Sequence, residues 1–150
     1  MGGGIYNGSW VCFRTETQIP EKRQQNLKDA ELYLKEAQKF DDQNSRSFYY
    51  LGRLYSEKPN QANVAFINYR ASIDKNEHDA DTWCSIGVLY KIQSQDLDAL
   101  QAFVCAVQIN PTHSAAWTNL GKLYEHHCFY RDANYCYKKA VINNSCKFIF

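Results

Sequence analysis

The chain repeats one short pattern three times. FYYLGRLY (Phe48 to Tyr55), WCSIGVLY (Trp83 to Tyr90) and WTNLGKLY (Trp117 to Tyr124) each run aromatic, Leu or Ile, Gly, then Leu-Tyr. The first two begin 35 residues apart and the last two 34. Within a copy the marked residues fall at i, i+3, i+4 and i+7, which is one face of a helix. These sets are Phe48, Leu51, Gly52 and Tyr55; Trp83, Ile86, Gly87 and Tyr90; and Trp117, Leu120, Gly121 and Tyr124. About nine residues after each Tyr a second helical face begins: Ala99, Phe103 and Ala106 in one copy, Ala133, Tyr137 and Ala140 in the next. In the first copy Ala65, Tyr69 and Ser72 follow one residue late, and the insertion is placed in the turn SEKPNQANV, where Pro59 and Asn60 suit a turn.

Each copy therefore reads as a helix, a tight turn and an antiparallel helix. Gly and Ala let the two backbones approach, and the aromatics fill the space that remains. One such hairpin cannot bury both of its faces, so the copies must stack. Pro111 stands where a second helix must stop, and Thr112 or His113 opens the next helix. Trp83, Ile86, Gly87, Tyr90, Ala99, Phe103, Ala106 and Pro111 fill the marked positions of the tetratricopeptide repeat (TPR) pattern. The expected fold is an all-α right-handed TPR solenoid of antiparallel helix pairs. Repeats are expected at residues 45–77, 80–111 and 114–145. Before them, Ala30, Leu34 and Ala37 mark residues 25–42 as the second helix of a partial repeat, with Pro20 suited to its first position. Residues 1–24 are expected as an unassigned, disordered tail and 146–150 as a short second tail. Asn7-Gly8 is also a hairpin signal, but a lone hairpin is marginal.

Composition narrows the function. The formal net charge is +1, from 17 basic and 16 acidic residues, which argues against a broad phosphate-binding face. The apolar run Ala102 to Val107 is six residues, against the roughly 20 that a bilayer span needs. MGGGIYNGSWVCF lacks a basic stretch followed by an apolar one, so a secretory signal is not expected, and Tyr6 fails the myristoylation pattern that Gly2 invites. Without secretion the sequons at Asn7 and Asn143 should stay unmodified. Six cysteines without a C-x-x-C pair read as reduced thiols of an intracellular protein.

DADTWCSIGVLY, DALQAFVCAVQINP and AAWTNLGKLYE resemble the C-terminal TPR segment of the UTX/UTY histone lysine demethylases, and next to it a related fungal TPR corepressor. SFYYLGRLY, INYRASIDK and DANYCYKKA extend the resemblance over about Asp29 to Val141, and Cys84, Ser85 and Cys105 lie outside what the repeat itself dictates. The resemblance implies a nuclear chromatin protein whose repeats dock into regulatory complexes, while a separate jumonji domain demethylates histone H3 with Fe(II) and 2-oxoglutarate. This chain departs from that pattern. Residues 1 to about 24 match nothing in it, and neither upstream repeats nor a jumonji domain is present. An iron site of two histidines and a carboxylate needs a strand scaffold, whereas His78, His113, His126 and His127 all fall in helical repeats. The expectation is a non-catalytic scaffold, without cofactor, metal or catalytic residues, that binds proteins of chromatin-regulatory complexes. Direct nucleic-acid or membrane binding is not expected, and the location is nuclear by resemblance, otherwise cytoplasmic. Two alternatives are a piece of a demethylase whose catalytic domain lies elsewhere and a generic cytoplasmic TPR adaptor.

Stacked hairpins curve, with their first helices on the concave side. By spacing, the candidate partner groove is Tyr49, Arg53, Cys84, Val88, Lys91, Thr118, Lys122 and Glu125. The pairs Tyr49/Arg53, Cys84/Val88 and Thr118/Lys122 lack the Lys and Asn of carboxylate-clamping TPRs, and Asn119 alone matches the Asn of sugar-transferring TPRs. His126-His127-Cys128 reads as a solvated helix end, because neighbours on a helix diverge and no further ligand is suitably spaced. After Ala140 only VINNSCKFIF remains, with Asn143-Asn144-Ser145 expected to stop the helix. Tyr135, Val141 and Ile142 are then incompletely covered, with Phe148, Ile149 and Phe150 as candidates to fold back. That predicts self-association through an uncapped C-terminal end.

Overall fold

The computed structural model describes residues 21–145, which form seven α-helices and no strand. They are α1 (Glu21–Phe40), α2 (Ser45–Ser56), α3 (Ala62–Lys75), α4 (Ala80–Ile92), α5 (Asp96–Ile109), α6 (Ser114–His126) and α7 (Tyr130–Ser145). Pro20, the Asn7-Gly8 pair and Phe148 to Phe150 lie outside the described residues. Among those described, no helix is long and apolar enough to cross a membrane. The helices pair as hairpins α2/α3, α4/α5 and α6/α7, each second helix packs on the next first helix, and α2, α4 and α6 also touch in turn. The chain is thus an all-α solenoid of antiparallel pairs with α1 docked on α2.

Repeat-spaced residues set the helix boundaries. Asn44, Asp79 and His113 precede α2, α4 and α6, and each side chain accepts a backbone N–H of the first turn, from Arg46 (3.0 Å), Asp81 (3.1 Å) and Ala116 (3.0 Å). Inside each hairpin one residue turns left-handed: Asn60, Ser94 and Cys128, with φ of 61°, 59° and 63°. There the Gln95 N–H reaches Tyr90 O and the Phe129 N–H reaches Tyr124 O, both at 2.9 Å, the six-to-one bond that closes a helix end. Asn60 comes 12 residues after Phe48, whereas Ser94 and Cys128 come 11 after their tryptophans, so the extra residue of the first repeat sits in this turn.

The core explains the three glycines. A Cβ on Gly52 would lie 2.6 Å from the Tyr69 ring, on Gly87 2.6 Å from Phe103 and on Gly121 2.7 Å from Tyr137. Each hairpin closes by laying an aromatic ring of the second helix on a bare stretch of the first. Ala65, Ala99 and Ala106 are fully buried, and Ala133 and Ala140 nearly so. The aromatics that open and close each first-helix motif are less deeply placed. Phe48, Tyr55, Trp83, Tyr90, Trp117 and Tyr124 are half-buried, as is Tyr137, while Pro111 is exposed. The two tryptophans lie at seams, where the indole N–H of Trp83 donates to Glu77 O (2.9 Å) and that of Trp117 to Pro111 O (2.8 Å).

The first helix is described from Glu21, next to the Pro20 that the sequence reading places at its first position and four residues ahead of the bound at residue 25, and it buries none of its side chains. Polar contacts hold it: Glu31 accepts from Tyr55 Oη (2.7 Å) and pairs with Lys58 and Lys35, and Arg23 pairs with Glu57 at 3.2 Å. At the other end Asn143, Asn144 and Ser145 are helical and are the last described residues of α7. Asn143 donates to Pro111 O at 3.0 Å and ties α7 to the turn before α6.

Candidate functional site

The faces of α2, α4 and α6 that look away from their partner helices form a continuous surface, and the eight groove candidates divide across it. Tyr49 and Cys84 are buried, not groove-lining. The reason is that consecutive first helices touch, so this position meets the next helix instead of solvent. Tyr49 packs on Tyr69 of its own hairpin with ring centroids 6.0 Å apart and shares a buried cluster with Ile86 and Leu89 of α4, while Cys84 Sγ accepts from the Asn119 amide of α6 at 3.6 Å. Burial pushes the Tyr49 hydroxyl and the Cys84 thiol above their ordinary pKa values. A thiol so placed is a packing group, since reactivity follows the thiolate.

Three other candidates are held by their own hairpins. Lys91 pairs with Asp96 at 3.0 Å. That bond, ahead of a hydrogen bond from His127, holds the Asp96 carboxyl below its usual range. Thr118 bonds back to Ser114 O at 2.9 Å. Glu125 accepts from the Tyr137 hydroxyl at 2.6 Å, which pushes the Tyr137 pKa up to about 12. Arg53, Val88 and Lys122 remain, occupying the same position in successive first helices, and all three are exposed. The side chains of Arg53 and Lys122 form no hydrogen bond or ion pair with another described residue.

A polar rail beside this row was missed in the sequence. Arg46 reaches Asp79 at 3.2 Å and Asp81 at 3.4 Å, and Asp81 meets His113 Nε2 at 2.9 Å. The Arg46 guanidinium also lies over the rings of Tyr49 (4.7 Å) and Tyr50 (5.3 Å). Deeper down, Thr82 bonds Asp79 at 2.8 Å and approaches the Ser72 hydroxyl at 3.3 Å. These links join the starts of α2, α4 and α6. The signal was available: Asn44, Asp79 and His113 recur at 35 and 34 residues, as do the Trp marks.

No protein-family model matches the sequence, and no curated protein matches it. Solved structures do. One crystal structure of MamA superposes with a TM-score of 0.68 at 22% identity, covering 78% of this chain and 68% of that one. A second MamA structure gives 0.67 at 22% identity, covering 83% and 68%. MamA is a TPR-like all-helical protein, and the likeness establishes a right-handed TPR-type solenoid here.

Proposed function

We propose that this chain is a non-catalytic protein-binding scaffold whose first helices hold an extended, acidic segment of a partner. The observation that carries this is the in-register row Arg53, Val88, Lys122: two cations whose side chains form no hydrogen bond or ion pair with another described residue, on either side of an exposed apolar side chain. Helices pack about 8–10 Å apart, so Arg53 and Lys122, two helices apart, are about 20 Å from each other. An extended strand covers that in about six residues. Acidic side chains at both ends and an apolar one in the middle would complement the row.

The resemblance to the demethylase and corepressor repeats supplies the setting: a nuclear chromatin-regulatory complex, with the partner among its proteins. Affinity purification from nuclei tests this, and recovery of chaperones without chromatin proteins would favour a cytoplasmic adaptor instead. The groove is tested separately with fluorescent peptides of about six residues. Arg53→Glu or Lys122→Glu should weaken an acidic-apolar-acidic peptide at least fivefold while leaving the melting temperature nearly unchanged, as exposed positions do. Equal binding by the wild type and both variants would refute the groove.

A further inference from the structure

The hairpin tips carry a cluster that the binding face does not use. His126 is the last residue of α6 and His127 is its cap, with φ −95° and ψ 13°. Leaving helical geometry there turns the second ring across the first, with planes at 85° and centroids 5.0 Å apart. Consecutive histidines, which diverge within a helix, here face the same carboxylate. Asp96 Oδ2, at the start of α5, lies 2.8 Å from His127 Nε2 and 3.7 Å from His126 Nδ1. The three donor atoms all fall within 4.8 Å of one another.

We propose that Asp96, His126 and His127 form a site for a divalent transition metal, with zinc as the fitting ion. Two imidazoles and one carboxylate are a zinc donor set. At Zn–N and Zn–O distances of about 2.0–2.1 Å, tetrahedral donors sit about 3.4 Å apart, inside the range these atoms span. The side chains have room to close on the ion, since His126 and His127 are 62% and 45% exposed. The fourth position faces solvent and takes water or a donor from a bound partner. Lys91 occupies the other oxygen, Oδ1, at 3.0 Å, so Oδ2 is the oxygen that faces the imidazoles. On one side the site borders an apolar pocket of about 200 Å³, walled by Leu97, Leu100, Leu123 and Phe129, that shares Asp96 and His127. The ion would link the second helix of one repeat to the first helix of the next, a junction otherwise made by side-chain packing.

The sequence reading set this cluster aside for want of a further ligand, and Asp96, 30 residues before His126, supplies it. The Lys91 ammonium sets a sign for the test. It repels a cation at Oδ2, so removing it should strengthen binding.

The experiment is titration of the full chain with zinc chloride under a non-thiol reductant, followed by calorimetry. One zinc per chain should bind. Asp96→Asn, His126→Ala and His127→Ala should each weaken it at least tenfold, His78→Ala and Cys128→Ser should leave it unchanged, and Lys91→Gln should tighten it severalfold. Circular dichroism of each variant in chelator checks that the helices persist. Zinc binding that survives Asp96→Asn and His127→Ala, that disappears with Cys128→Ser, or that is indifferent to Lys91→Gln would overturn the proposal. So would the absence of any binding stronger than that of the variant lacking all three ligands.

Discussion

Gly87→Ala sets two known effects against each other, and the structure decides which wins. Alanine in a helix interior is favoured over glycine by about 1 kcal/mol. Here, however, the new methyl would meet Phe103 at 2.6, 2.7 and 3.0 Å, where carbon–carbon contacts are at rest at about 3.5–4.0 Å. Phe103 is 1% exposed, so the ring has nowhere to go. Either α4 and α5 separate or the ring leaves its rotamer. Overpacking of this kind costs about 1–3 kcal/mol, and three overlapping atoms place it at the upper end. The net expectation is a loss of about 2 kcal/mol, or about 4–8 °C in melting temperature for a chain of this size. Gly52→Ala should behave alike, since Tyr69 is 2% exposed. Gly121→Ala should cost less, about 0–1 kcal/mol, because its contacts with Tyr137 are 2.7, 2.9 and 3.2 Å and that ring is half-buried. Urea denaturation of the three variants gives the order. Combining Gly87→Ala with Phe103→Leu should recover at least about 1 kcal/mol relative to the sum of the single changes, as coupled neighbours do. A Gly87→Ala chain stabilised by the full propensity gain, or additive with Phe103→Leu, would mean the ring does not lie on the glycine.

Other outcomes follow from the turns and the ends. Ser94→Gly and Cys128→Gly should each stabilise by about 0.5–1 kcal/mol, because a side chain in the left-handed region costs about 1–2 kcal/mol and glycine returns part of this as unfolded-state entropy; a fall in the urea midpoint would contradict it. Hydrogen bonds from Lys35, Lys58 and Tyr55 lower the Glu31 pKa from 4.5 to about 2. A depressed carboxyl stabilises above its unfolded value and loses that contribution as pH falls, so the hold on α1 should weaken between about pH 4.5 and 2. Hydrogen exchange should show α1 losing protection first in that window, and Glu31→Gln, worth about 1–2 kcal/mol after screening, should give the same pattern at neutral pH. Exposed Tyr135 and Ile142 on α7 support self-association at that end, so Ile142→Lys should lower the weight-average sedimentation coefficient at high concentration; no change would argue against that contact.

The hairpins were legible because a glycine beneath an aromatic ring leaves a mark in sequence that no other packing rule requires. The recurrence of Gly52, Gly87 and Gly121 with Tyr69, Phe103 and Tyr137 was enough to place both helices of each pair. Where a helix begins was less legible. His113 caps α6 through a ring nitrogen, in the place where Asn44 and Asp79 use an oxygen, and only the repeat register identifies it as equivalent. The binding row was the least legible part, for a geometric reason. Cys84 and Val88 are four residues apart, about 40° around a helix at 3.6 residues per turn. Hydrophobic spacing cannot resolve that angle, yet Cys84 is 7% exposed and Val88 is 38% exposed. The edge of the contact between neighbouring first helices runs between them. How tightly the hairpins stack sets where that edge falls, and buried clusters that span neighbouring hairpins carry that stacking: one holds Tyr69 with Ile86 and Leu89, the other Phe103 with Leu120 and Leu123. The rail from Arg46 through Asp81 to His113 lies over that packing, and exposed ion pairs add little to it, so the apolar seam determines which side chains of α2, α4 and α6 are left for a partner.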